Sequence, residues 1–291
     1  MTNLKIRTMN SNRLQLGIFA KTFARPTVEE IFDEVAGHRL PCVQFNFSCA
    51  GLPSLPEELE LSVLERIRGS AVSRKVSLAA VSGTCNLIDP NPTRRSDGLQ
   101  RVRVLISACS YVGTNVVTLC SGTRDPDDLW RSHPDNNSPQ AWSDLRASLD
   151  EVLEVAELHD VTLGLEPELS NVVNSAPRAR RLLDETESPN LKIIMDAANL
   201  IPPDELPRRT RILEEAFDIL GNDLILAHAK ELGPDGRAGN LPLGSGILDW
   251  DRYLELLSQA QFAGALIMHG FEETDLAASA AFLRDKLAQP A

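Results

Sequence analysis

Four apolar runs in the second half of the chain each end in a side chain that can bind a metal ion or move a proton. Leu163-Gly164-Leu165 runs into Glu166, and Ile193-Ile194-Met195 into Asp196. Leu226-Ala227 runs into His228, and Ile267-Met268 into His269. Oxygen and imidazole donors without thiolate suit Mn²⁺, Mg²⁺, Co²⁺ or Zn²⁺, and two imidazoles shift the preference away from Mg²⁺. A carboxylate and a histidine beside such an ion are also the groups of acid–base catalysis, which makes Glu166 and His269 the candidate catalytic residues. The chain has five histidines. His38, His133 and His159 fall at expected helix ends or in loops, where surface hydrogen bonding is their ordinary role.

The first half supplies a different chemistry. Its apolar runs end in Gln44 and Asn46, then Ser82, Thr84 and Asn86, then Thr118 and Ser121. These neutral groups can hydrogen-bond a polyol. Lys230 lies two residues past His228 and so faces the same way along a strand, where it can meet a substrate oxyanion, a phosphate or a neighbouring carboxylate. Arg237 sits in a Gly/Pro-rich loop (233–246) placed to fold over such a pocket. Phe19, Phe45, Phe47 and Trp250 can supply an apolar wall, with core packing as the competing fate.

The elements that must position these residues alternate regularly. Apolar runs at 16–19, 42–47, 78–81, 115–119, 162–165, 192–195, 224–227 and 265–268 read as strands buried on both faces. Amphipathic stretches at 28–37, 56–74, 94–112, 139–159, 176–185, 210–220, 251–259 and 275–287 read as helices. Thr27 with Glu30 forms a capping box, Ser175 and Asp249 stand where N-caps are needed, and Gly113 and Gly221 follow helical runs. Eight strand–helix units specify a parallel sheet. The first strand lacks the glycine-rich loop of an open doubly wound sheet, so the expected fold is a single (β/α)8 TIM barrel over 14–291. Barrels of this kind place their chemistry where strands end. Residues 1–13 read as an N-terminal arm, and the polar loop 123–138, with Trp130, as a lid.

Lys plus Arg number 29 against 41 Asp plus Glu, a net charge of −12. That sign repels nucleic acid and anionic membranes. No apolar run approaches bilayer thickness. The five cysteines are scattered without CxxC spacing, which points to a reducing, cytoplasmic setting.

From Leu16 to about Leu287 the chain resembles the xylose isomerase-like barrels, specifically the sugar phosphate isomerase/epimerase group. The matching parts are Gly164-Leu165-Glu166-Pro167 with Asn171, Met195-Asp196 with Asn199, His228-Ala229-Lys230-Glu231, and Gly244-Ser245-Gly246-Ile247-Leu248-Asp249-Trp250. The resemblance implies a metal held by Glu166, Asp196 and His228; Asn46, Asn199, Lys230 and Arg237 are the candidate substrate-binding residues. His269 stands where family epimerases usually have a fourth ligand, Glu, and Asn199 where many ketose epimerases have His. The family's two glutamates act as base and acid on opposite faces of an enediolate. Here His269 can ligate the metal or act in acid–base chemistry, but hardly both. Glu168, Glu231 or Glu272 can supply the missing carboxylate, unless Glu166 works alone or a hydride shift replaces proton transfer.

The expected function is thus a divalent-metal-dependent isomerase or epimerase of a small sugar or keto-sugar derivative. The alternatives are a metal-dependent lyase or dehydratase on the same barrel, or a sugar-binding barrel without turnover. A repair endonuclease fits poorly, because it needs more ligands and a basic groove. Barrels of this kind often pair as homodimers, although the sequence carries no interface signature.

Overall fold

The computed structural model describes residues 14–288, and the expected arm at 1–13 lies outside the described residues. The strands are β1 (Gln15–Phe19), β2 (Cys42–Phe45), β3 (Ser77–Ser82), β4 (Val116–Cys120), β5 (Thr162–Glu166), β6 (Leu191–Asp196), β7 (Leu224–Ala229) and β8 (Ala265–Met268). All pairings are parallel and follow chain order, with β8 returning to β1 to close the barrel. The helices are α1 (Val28–Gly37), α2 (Leu61–Ser73), α3 (Pro92–Val112), α4 (Pro139–Leu158), α5 (Ala176–Thr186), α6 (Arg209–Leu220), α7 (Trp250–Gln259) and α8 (Leu276–Ala288). The expected (β/α)8 TIM barrel is the observed one.

Strand alternation explains what reaches the barrel mouth. Ile18, Val43, Val81, Val117, Leu163, Ile193, Ala227 and Leu266 pack with the helices in the main core. Cys42, Ala80, Val116, Ile194, Leu226 and Ile267 form a separate apolar cluster, which alternation assigns to the barrel axis. Gly17 and Gly164 complete this floor. A Cβ on Gly17 would lie 2.6 Å from Ile267 Cδ1, and one on Gly164 2.9 Å from Ile194 Cγ1, so larger neighbours already fill their space. Two residues beyond this floor stand Phe19, Gln44, Ser82, Thr118, Glu166, Asp196, His228 and His269. One layer of apolar packing therefore supports one ring of eight functional-type side chains.

Several local expectations need correction. Helix α2 starts at Leu61 rather than near 56, after an irregular segment whose Leu55 and Leu59 pack on the core. Thr27 and Asp249 accept their N-cap bonds, but Ser175 makes none. Gly113 takes the left-handed C-cap conformation at φ +86°, whereas Gly221 stays right-handed and leads into a short 3-10 turn. Among the described residues no helix is long and apolar enough to cross a membrane.

Candidate active site

Asp196, His228 and His269 bring one donor atom each to within 4.8 Å of one another. Register does this directly: Asp196 and His228 are Cα partners across β6 and β7, and the His269 amide pairs with Ala229 O of β7. The Tyr253 hydroxyl of α7 shares its one proton between Met195 O at 2.9 Å and His228 O at 3.0 Å, clipping the two strand ends together. His228 Nε2 faces Gln44 Oε1 at 2.9 Å. Donation to that carbonyl leaves Nδ1 with a lone pair. Nδ1 is buried, makes no hydrogen bond, and points between Glu166 Oε2 at 3.4 Å and Asp196 Oδ2 at 3.6 Å. His269 Nε2 lies 3.1 Å from the same Asp196 oxygen. An orphaned imidazole nitrogen beside two carboxylates and a second imidazole fits a divalent metal ion.

Electrostatics favour a cation there. Burial opposes a charge on His228, yet Glu166 and Asp196 outweigh it and hold its pKa up at about 9, so without metal Nδ1 carries a proton that a bound cation would displace to reach the lone pair. Burial, then repulsion from His228, pushes His269 down to about 4, so that imidazole is neutral at neutral pH. Asp196 is buried, which would raise its pKa, but Lys230 and the two histidines hold it well below the usual carboxylate range.

Around this cluster Asn199 acts as a hub. Its Nδ2 donates to Glu166 Oε1 and Glu168 Oε1, both at 2.7 Å, and its Oδ1 accepts from Lys230 Nζ at 2.7 Å. Lys230 also pairs with Asp196 Oδ2 at 3.1 Å. Glu168 differs from the other acids: burial and then the Glu166 charge push its carboxyl up to about 9, so it keeps a proton at neutral pH.

A pocket of about 300 Å³ opens above these groups, lined by Glu166, Glu168, His228, Lys230 and His269 on one side. Phe19, Gln44, Ser82, Thr84 and Trp130 complete its wall. A larger cleft of about 500 Å³ lies outside, between α2, α3 and α4, and gathers no comparable set of acid, base or ligand groups.

The expected site residues divide accordingly. Glu166, Asp196, His228, His269, Asn199 and Lys230 converge. Asn46 does not reach the pocket: β2 ends at Phe45, and the Asn46 side chain caps the short helix Phe47–Ala50 by accepting from Ser48 N. Arg237 points to solvent, 85% exposed and 3.6 Å from Asp235, because its loop turns back on itself through Gly233. Glu231 is fully buried and binds backbone N–H groups of Leu232, Gly244 and Leu248 and the Trp250 indole. Phe45, Phe47 and Trp250 are core residues. Loop 123–138 is pinned rather than a free flap: Arg131 grips Asp125, and Asn136 bonds Arg124 N and Ser170 O. Trp130 is its exposed tip.

Fold and site together describe a (β/α)8 barrel with a candidate metal centre at the C-terminal ends of β5 to β8. The chain belongs to the xylose isomerase-like TIM barrel family, whose profile matches residues 32–286. It is 27% identical over 193 residues to L-ribulose-5-phosphate 3-epimerase UlaE of Escherichia coli O139:H28 (strain E24377A / ETEC). That match takes 66% of this chain and spans 63% of that enzyme's length. Two solved structures superpose on 94% of the chain. The apo form of 3-keto-D-glucoside 4-epimerase YcjR from E. coli does so with a TM-score of 0.72, at 19% identity and over 100% of its length. The IolI protein with a bound zinc atom gives 0.73, at 14% identity over 98% of its length. At these identities the structural likeness speaks for the fold.

Proposed function

We propose that this protein is a divalent-metal-dependent isomerase or epimerase of a small keto-sugar, acting by proton abstraction next to a carbonyl. The observation that carries this reading is the buried, unbonded Nδ1 of His228 among Glu166, Asp196 and His269. Those four side chains would hold the ion, with Mn²⁺, Co²⁺, Mg²⁺ and Zn²⁺ as the candidates. When bound, the ion polarises the substrate carbonyl and stabilises the charge that develops on it.

The chain's own groups then move the proton. Glu166, oriented by Asn199, takes it from the carbon beside the carbonyl. Glu168, on the same pocket wall and with its carboxyl pushed up first by burial, would return one to the enediolate. Two carboxyl groups with pKa values pushed apart suit base and acid respectively. Return from this wall to the neighbouring carbon is isomerisation, whereas epimerisation requires the same carbon to be reprotonated from the opposite face by a group other than Glu168. Lys230 and the Gln44, Ser82 and Thr84 wall orient the hydroxyls. The proton on Glu168 also favours a second reading, dehydration, in which it leaves with a substrate hydroxyl as water. The five free cysteines, four of them buried, support a reducing, cytoplasmic setting.

The test has two parts. Mn²⁺ or Co²⁺ at a hundredfold excess over Kd should raise Tm by about 5 °C, and chelation should reverse the gain. Ketoses incubated with the loaded protein in D₂O should gain solvent deuterium beside the carbonyl without change of composition. Unlabelled product would point to a hydride shift, product lighter by one water to a dehydratase, and no metal-dependent shift in Tm would remove the mechanism.

A further inference from the structure

The pocket wall facing the carboxylates is neutral, formed by Phe19, Gln44, Ser82, Thr84 and Trp130. Among the described residues that line it, Lys230 is the one lysine or arginine, and its ammonium is engaged by Asp196 Oδ2 and Asn199 Oδ1. Arg237 faces solvent, and exposed Lys21 does not line the pocket.

A phosphate ester brings about −1.5 to −2 charges at neutral pH. Proteins receive it with Arg forks, lysines or unpaired backbone N–H groups at a helix N-terminus. In α/β barrels that cradle is frequently built by the loops after the last two strands and a short extra helix. Here an internal acid fills the first place, and acids without a capping bond put negative charge beside the second. The loop after β7 wraps its N–H groups around Glu231: Leu232 N and Leu248 N meet Oε1 at 3.0 and 3.2 Å, and Gly244 N meets Oε2 at 2.6 Å. The short helix after β8, Glu273–Asp275, follows Glu272 and carries acids in its own first turn.

We infer that the pocket takes an uncharged ketose or keto-sugar and discriminates against its phosphate ester. The inference rests on the proposed isomerase function and sets this chain apart from the relative named for L-ribulose 5-phosphate.

Matched pairs test it on the full chain loaded with Mn²⁺: L-ribulose, D-fructose and D-tagatose, each against its terminal phosphate ester. Kd is read by calorimetry and interconversion by NMR. The free sugar of any active pair should bind or turn over about tenfold better or more, since a phosphate desolvated against a neutral wall with no free cationic partner loses affinity. An ester that matches or beats its free sugar overturns the neutral-substrate assignment and leaves the isomerase function standing. A metal-loaded protein that neither binds nor converts any member of the pairs overturns the isomerase function, and this inference with it.

Discussion

His269 is the residue at which the chain departs from the two-glutamate pattern it resembles, and the nearby carboxyl that lines the pocket is Glu168. Without metal, burial and then the Glu166 charge push the Glu168 carboxyl up to about 9, so a glutamine there matches its neutral form in charge and shape but has no carboxyl proton to give. Glu168→Gln should therefore keep metal binding and Tm close to the parent while lowering kcat by about a hundredfold or more. An unchanged kcat would remove Glu168 from the reaction. Glu166, Asp196, His228 and His269 were legible in the sequence because each ends an apolar run, and alternation fixes the direction of such a residue. The partnership of Gln44 with His228 was not legible. It joins residues 184 positions apart across the closed barrel, and no local pattern encodes it. Asn46 looked equivalent to Gln44, but the backbone turns into a short helix there and takes its side chain as a cap.

The loop after β7 depends on an internal anion. Glu231 gathers three backbone N–H groups and the Trp250 indole, and the same loop rests on β8 through Asn240 N to Gly270 O and Gly239 against Gly270. Glu231→Ala would leave four donors without this acceptor, at about 1–3 kcal/mol for each buried one left unsatisfied. A loss of about 3 kcal/mol or more is expected in urea unfolding, and a loss below about 1 kcal/mol would show that the donors find other partners. The motif around Glu231 is visible in the sequence as a match, but nothing in it tells a catalytic acid from an internal anion that the loop wraps. Apolar periodicity finds elements well because burial requires it. Caps such as Ser175 and Gly221 depend on individual dihedral angles that periodicity does not carry.

Across the whole molecule, ion pairs on the helical shell set the acid limit. Arg66 holds Glu29 down at about 2, and Trp142 with Arg181 holds Glu185 there. Burial works against the charge on Asp144, but Arg124 and Arg95 still hold it down at about 2. Carboxyl pKa values depressed on folding stabilise the protein above their ordinary range, and that contribution is lost as pH falls through the folded values. Unfolding free energy should therefore fall progressively between about pH 4.5 and pH 2, and a flat profile across that window would contradict these pairs. Eight strand–helix units were countable in the sequence because each strand is buried on both faces. Barrel closure, by contrast, is a long-range pairing of β1 with β8 that only the count of eight implied.

The ring above the barrel floor is divided by chain order. Strands β1 to β4 present Phe19, Gln44, Ser82 and Thr118, while β5 to β8 present Glu166, Asp196, His228 and His269. In terms of descent, the two halves answer to different pressures. A change in Ser82, Thr84 or the Trp130 loop alters which molecule is accepted without disturbing a reactive group, whereas a change in the second half alters what is done to it. A lineage built this way can exchange its substrate by drift in one half of its sequence while the other half keeps the chemistry intact.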